Sequence, residues 1–367
     1  MDVGLDGRRL EVAQQIVRGG VDDKVYSGAV LLIARHGKIG QMAAFGSLHP
    51  GGPPVKMDTI FDMASLTKPN VAAGLLTLLE DGKLALTQDV KEWIPEAKGS
   101  PAADLTLRQL ATHTSGLPAW KALYNTKGVP EAKGQGNARA LVLAEILRTP
   151  LHNPPGTKYV YSDLGYILLG EVVSRASGMS LDQYLHSRLY APMGMKDTGY
   201  LPAATRRDRI ASTAGSRDRP GATLVGEVHD ENANSIGGVS GHAGLFSTAP
   251  DIVKLADALC RNGESGGHRV LGIPTLRLVQ KNQAPPDVGG HSIGWFTPPN
   301  TMLPKGDILG DSAFGHTGFT GTMIVCDPVH ELVIVLLTNR VIYENTADGM
   351  SRIRRRTINS IASSIIR

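Results

Sequence analysis

Residues 61–70 read Phe61-Asp-Met-Ala-Ser65-Leu-Thr-Lys68-Pro69-Asn70. Ser65 is the one serine in the chain with a lysine three positions on. Positions i and i+3 share a helix face, so the Lys68 amine can reach the Ser65 hydroxyl and serve as its base. Pro69 is tolerated in a first helical turn, where backbone N–H groups have no partner, so a helix should begin beside Ser65. A helix start turns free N–H groups toward the serine and favours the negative charge of an acyl-transfer transition state. By chance alone, a chain of this size holds roughly one Ser-x-x-Lys, so the reading needs further support.

Two more segments supply it. Residues 159–166 read Tyr159-Val-Tyr161-Ser-Asp163-Leu-Gly-Tyr166, after Asn153-Pro-Pro-Gly156 and before an apolar helical run from Ile167 to Val173. A tyrosine at such a loop-to-helix junction can pass a proton to a leaving group when an ammonium stands beside it. Residues 314–322 read Phe314-Gly-His316-Thr317-Gly318-Phe319-Thr-Gly-Thr, directly before the strand-like run Met-Ile-Val-Cys-Asp. Glycine there lets a substrate backbone approach a strand edge, His316 and Thr317 offer hydrogen bonds, and the Phe319 N–H can join that of Ser65 in an oxyanion hole.

Outward from these segments, residues 8–19 have helical apolar spacing, and GAVLLIAR and KIGQMAAFG form a predicted hairpin across His36-Gly37-Lys38. GTMIVCDP and ELVIVLLTNR are a second strand pair, and INSIASSII closes the chain with a helical pattern. Between them lie helix candidates at 70–81, 106–113, 138–148, 164–177, 249–261 and 273–281, joined by loops such as 127–137 and 214–221. A strand-rich beginning and end around a helical middle predicts one antiparallel sheet built from both ends of the chain, with a helical region inserted.

In order and separation, Ser65-x-x-Lys68, Tyr161-x-Asp163 and His316-Thr317-Gly318 resemble the S-x-x-K, Y-x-N and K-T-G motifs of the β-lactamase and penicillin-binding-protein superfamily. The resemblance is to the class C β-lactamase-like branch, which includes esterases, DD-peptidases and D-aminopeptidases. It extends through Leu110 to Pro118, Gly241 to Ser247 and Leu337-Thr-Asn339-Arg. It implies an α+β, β-lactamase/transpeptidase-like fold, with an antiparallel sheet flanked by the N- and C-terminal helices and an inserted helical domain. Residues 1–367 would form a single catalytic unit, its sheet part from about 1–60 and 285–367 and its mainly helical part from about 65–285. It further implies Ser65 as nucleophile, Lys68 and Tyr161 as the proton-transfer pair, and Asp163, His316, Thr317, Gly318 and Phe319 as substrate-binding residues.

Two departures bear on substrate. Asp163 stands where the family carries Asn, and His316 where it commonly carries Lys; a neutral histidine is a weaker anchor for a substrate carboxylate. These favour a carboxylesterase acting through a covalent acyl-enzyme. The alternatives are a peptidoglycan-related amidase, DD-peptidase or D-aminopeptidase, suggested by Val228-His229-Asp230 leading to Gly241-His-Ala-Gly, a weak class C-type β-lactamase, and a non-enzymatic penicillin-binding sensor.

The remaining features are read as structural. Gly263-Glu-Ser265-Gly-Gly267 is a formal G-x-S-x-G, but it is polar on both sides and follows a helical run, unlike a nucleophile elbow. His113 and His242 are assigned structural hydrogen bonds, and Trp295 either a pocket wall or core. Cys260 and Cys326 are assigned to packing. The histidines form no metal-binding motif, and no cofactor is expected. The net charge of +4, from 38 basic and 34 acidic residues, argues against a nucleic-acid partner. The run Arg352, Arg354, Arg355, Arg356 reads as the solvated face of a C-terminal helix. An N-terminus without an apolar stretch points to a soluble protein, cytoplasmic or lacking its export signal. The expected partner is a small ester or amide substrate, and the oligomeric state is left open.

Overall fold

A computed structural model describes residues 3–133, 136–344 and 346–366. The chain opens with helix α1 (Gly7–Asp22) and the strands β1 (Gly28–Arg35) and β2 (Lys38–Gly46). Helices α2 (Thr67–Glu80), α3 (Asp163–Ser177) and α4 (Ala249–Cys260) follow. Strands β3 (Phe314–Thr317), β4 (Met323–Asp327) and β5 (Leu332–Thr338) and helix α5 (Ala347–Ala362) close the chain. The five strands form one sheet in the order β3-β4-β5-β1-β2, antiparallel throughout, so that β1 and β5 from opposite ends of the chain are neighbours. Their register sets Leu31 opposite Leu336 and Ile33 opposite Ile334.

Every residue of β1 is buried, and its alternation shows why the strand carries no polar face. Ala29, Leu31 and Ile33 pack with Leu10, Ala13 and Val17 of α1 and with Ile353, Ile358 and Ile361 of α5. Val30, Leu32 and Ala34 point the other way, into the core that contains Val71 and Leu75 of α2 and Ile252, Leu255 and Leu259 of α4. A sheet covered on both faces reads as continuous apolar runs, and each Val, Leu or Ile among these contributes about 1.5–3 kcal/mol by burial.

The helix candidates have close counterparts, among them Leu107–Ala111, Asn137–Arg148 and Ile273–Gln280. Two expectations are corrected. The closing helix runs over Ala347–Ala362 and stops short of the expected helical end at residue 366; Ser363 and Ser364 turn their hydroxyls onto the carbonyls of Ser360 and Ile361 and end it. The stretch 127–137 is not all loop: Pro130, in its first turn, starts a short helix, Val129–Ala132, and residues 134 and 135 lie outside those described. Short helices at Val90–Trp93 and Glu231–Ser235 lack a long apolar periodicity and are missing from the sequence reading.

Asn339, just past β5, ties the layers together. Its Oδ1 accepts from Gly28 N at 2.9 Å, and its Nδ2 donates to Ser27 Oγ, Leu48 O and Ser212 O at 2.8–3.0 Å. Asn339→Ala removes these bonds, leaving Leu48 O with Ser212 N and Ser27 Oγ with Ser47 O, and chemical denaturation should show a loss of about 2–4 kcal/mol.

Candidate active site

Ser65 lies in a single 3-10 turn, Ala64–Leu66, that runs into α2. Ala64 is held at φ +46°, a left-handed conformation uncommon for a residue with a side chain, and this turns Ser65 outward at the helix start. Helix α2 is buried on all sides from Thr67 to Leu78, which places Lys68 in the interior. The Lys68 Nζ donates to Ser65 Oγ at 2.9 Å and to the His242 carbonyl at 3.1 Å, and stands 2.7 Å from Asp163 Oδ1. Two hydrogen bonds and one close ion pair thus surround the ammonium. Burial alone would lower the Lys68 pKa, but the Asp163 carboxylate, and after it Tyr161, outweigh it and leave the group above the usual lysine range. Lys68 is therefore charged at rest.

The segment 113–119 docks the second motif. His113 Nδ1 accepts from Ser162 N at 2.9 Å, Ser162 Oγ donates to Pro118 O at 2.7 Å, and Asp163 N donates to Ala119 O at 2.9 Å. Ser162 caps α3 through Gly165 N, so Asp163 occupies the positive end of that helix. The Tyr161 ring stacks on His113 at 4.4 Å and sits 4.8 Å from the Lys68 Nζ. Its hydroxyl is buried beside Lys68 and Ser65 without closing a hydrogen bond to either. Burial raises the Tyr161 pKa and Lys68 pulls against it, with a net rise, so the phenol is protonated.

Strand β3, at the sheet edge, supplies the third wall. Gly318 passes so close to the turn before Ser65 that a Cβ there would stand 2.6 Å from Met63 O. The N–H groups of Ser65 and Phe319 have no acceptor among the described residues, as an oxyanion hole requires. His316 is fully buried, stacked on Phe296 at 4.3 Å with Nδ1 at 2.9 Å from Thr317 O. Burial and then Lys68 hold it well below the usual histidine pKa, so it is neutral.

Two cavities meet at Ser65, Tyr161 and Phe319. The larger, about 640 Å³, is walled by Trp120, Asp163, Arg217, His229 and Asp230. The smaller, about 340 Å³, is lined by Met302, Thr317, Arg340, Met350 and Arg354, with no carboxylate among the described residues that line it. Arg354 Nη2 donates to the carbonyls of Gly318 and Thr322, while its Nε is buried without a partner among the described residues. Burial, and secondarily Arg340, pushes the Arg354 guanidinium down to about 9. Arg340 donates from Nε to Phe319 O at 2.8 Å and lies over the Phe319 ring at 4.8 Å.

Of the residues singled out in the sequence, Ser65, Tyr161, Asp163, Thr317, Gly318 and Phe319 line the two cavities, and Lys68 and His316 are buried behind them. The sequence reading missed Arg340 and Arg354. The assignment of Arg354 to a solvated face is corrected: α5 buries Met350, Ile353, Thr357, Ile358 and Ile361, and position 354 falls on that inward stripe, whereas Arg352, Arg355 and Arg356 are exposed. His113 and His242 make structural hydrogen bonds, and Trp295 is core, 1% exposed against the edge of Phe314. Ser265 sits in a small hairpin and Cys260 and Cys326 are buried free thiols. Asp163, Asp230 and His242 come together in a cluster with metal-ligand chemistry. Its cation is the Lys68 ammonium, and both ring nitrogens of His242 are taken, by Ser240 and Asp230 at 2.8 Å each. No helix among the described residues is long and apolar enough to cross a membrane.

Comparison with known proteins yields consistent matches. The Beta-lactamase family matches over residues 13–356. A putative D-alanyl-D-alanine carboxypeptidase of Escherichia coli K12 is 34% identical over 87% of this chain and 79% of its own length. An N-acetylmuramyl-L-alanine amidase of Bacillus subtilis is 33% identical over 86% of this chain and 77% of its own. The solved class C β-lactamase of Rhodobacter sphaeroides shares the fold with a TM-score of 0.74, at 22% identity over 98% of this chain and 100% of its own.

Proposed function

From the membership of this chain in the β-lactamase family, we propose that it is a serine hydrolase that cleaves an amide in a carboxylate-bearing, peptidoglycan-type fragment through an acyl-enzyme on Ser65. The observation that carries the substrate class is the pair Arg340 and Arg354, two guanidinium groups in a cavity beside Ser65 whose lining, among the described residues, includes no carboxylate. A buried cation without a counter-ion is costly, and a substrate carboxylate would complete it. His316 does not provide that anchor, since it is neutral; the arginines stand where the sequence reading found the anchor weakened. The names of the two curated relatives point to the same class of compound. Activated esters would share the acyl-enzyme route, so the carboxylesterase reading survives as a side activity.

The geometry suggests the proton path. Lys68 is an ammonium at rest, so it would pass one proton to Asp163 across 2.7 Å and use the freed lone pair to take the Ser65 proton. Ser65 Oγ attacks the carbonyl, whose oxygen is received by the Ser65 and Phe319 N–H groups. Tyr161 hands a proton to the departing amine and regains one from Lys68. Water then cleaves the ester on Ser65 by the same path in reverse.

Arg354→Met tests the substrate class. Relative to a neutral nitrophenyl ester, kcat/KM for a carboxylate-bearing peptide amide should fall ~10–100-fold, the equivalent of one charge-assisted hydrogen bond of about 1.5–3 kcal/mol. An unchanged ratio would remove the arginine pair from substrate recognition.

A further inference from the structure

Asp62, three residues before the nucleophile, is 2% exposed, and both of its oxygens are engaged by backbone. One accepts from Ala64 N at 2.8 Å, bridging the left-handed residue that turns Ser65 outward. The other accepts from His229 N at 2.8 Å, in the segment that walls the larger cavity. Its own carbonyl receives the Thr320 hydroxyl at 2.7 Å, and the next carbonyl, Met63 O, receives the Thr322 hydroxyl at 3.2 Å. The buried carboxylate thus joins the Ser65 turn to the 229–230 wall, while the backbone carbonyls of Asp62 and Met63 hold the loop that carries Phe319 N–H.

We propose that Asp62 is a positioning residue that holds Ser65 and the oxyanion-hole N–H groups in register, and that loss of its negative charge ends acylation on the acid side. This rests on Ser65 being the nucleophile.

The carboxylate must accept from two N–H groups at once. Once protonated, one of its oxygens becomes a donor facing a donor, and the strained turn loses a tether. The charged and titratable groups facing Asp62 are Arg219, His229 and Asp230, all from the 219–230 segment. The segments 245–247 and 318–322 on its other sides contribute hydroxyls and no titratable side chain. Lys68 is committed to Ser65, Asp163 and the His242 carbonyl. Burial, opposed by the two N–H bonds and reinforced by Asp230, raises Asp62 to about 6. Burial holds His113, His229 and His316 below the usual histidine range and His291 near about 3.

The test is the rate of fluorophosphonate labelling and of nitrophenyl-ester turnover between pH 4.5 and 8.5, with thermal melts as the folding control. The wild type should lose both rates below a pH of about 6. Asp62→Asn should fall at least ~10-fold in kcat at pH 7.5 with KM little changed, and its profile should be flat from pH 5 to 7. A wild-type acid limb that persists in Asp62→Asn overturns the proposal, as does a variant with wild-type rate and profile. If Asp62→Asn does not fold, Arg219→Gln removes a charge that favours the ionised form, and the acid limb should move upward by about a few tenths of a pH unit. An unmoved limb overturns the proposal equally. Ser65→Ala run in parallel separates this outcome from failure of the nucleophile assignment, because that variant should not be labelled at any pH.

Discussion

Ser65→Ala is expected to abolish both turnover and covalent labelling by a fluorophosphonate or a penicillin probe, with kcat reduced about 10⁴-fold or more. The magnitude follows from the loss of the covalent route, since binding and the oxyanion N–H groups retain only a residual acceleration. Specificity for this serine comes from its surroundings. Ser65 is the serine with a lysine one helical turn on, and it opens onto both cavities. It also sits against two free backbone N–H groups. Labelling that persists in the variant would place the nucleophile elsewhere.

Lys68→Met should reduce acylation by about 10²–10⁴-fold, the range of a positioned general base. The methionine preserves volume, but it strands the Asp163 carboxylate, whose side chain is only 18% exposed. A buried charge without its partner is destabilising by several kcal/mol, so the single variant should also melt earlier. The pair Lys68→Met with Asp163→Asn removes both charges and should recover most of the melting temperature but none of the activity. A double variant with restored turnover would assign the base to another group.

The candidate site was legible in the sequence because three short motifs fall in the order and separation of a known family. A lysine at i+3 at a helix start and a tyrosine at a loop-to-helix junction are local patterns, readable without tertiary structure; that Gly318 passes under Met63 is not, and only the fold brings the two together. The sheet was legible for a related reason: β1 and β5 are unbroken apolar runs, which only a strand covered on both faces needs. The arginine pair was not, because its meaning depends on what is absent around it. Arg354 sits in a run of arginines that average composition assigns to solvent, and only the inward stripe Met350, Ile353, Ile358, Ile361 separates it from its neighbours. Arg340 has no local signal. Asp62 was invisible too, since its partners His229 N and Thr320 Oγ1 are 167 and 258 residues away.

The most direct measurement is peptide mass spectrometry of the protein quenched during turnover of an N-acetylmuramyl peptide. The account predicts a covalent acyl adduct on the peptide containing Ser65, more abundant in a slow-deacylating mixture than at completion, and absent from Ser65→Ala. Amide cleavage that proceeds with no adduct on Ser65, or with one on another residue, would contradict it.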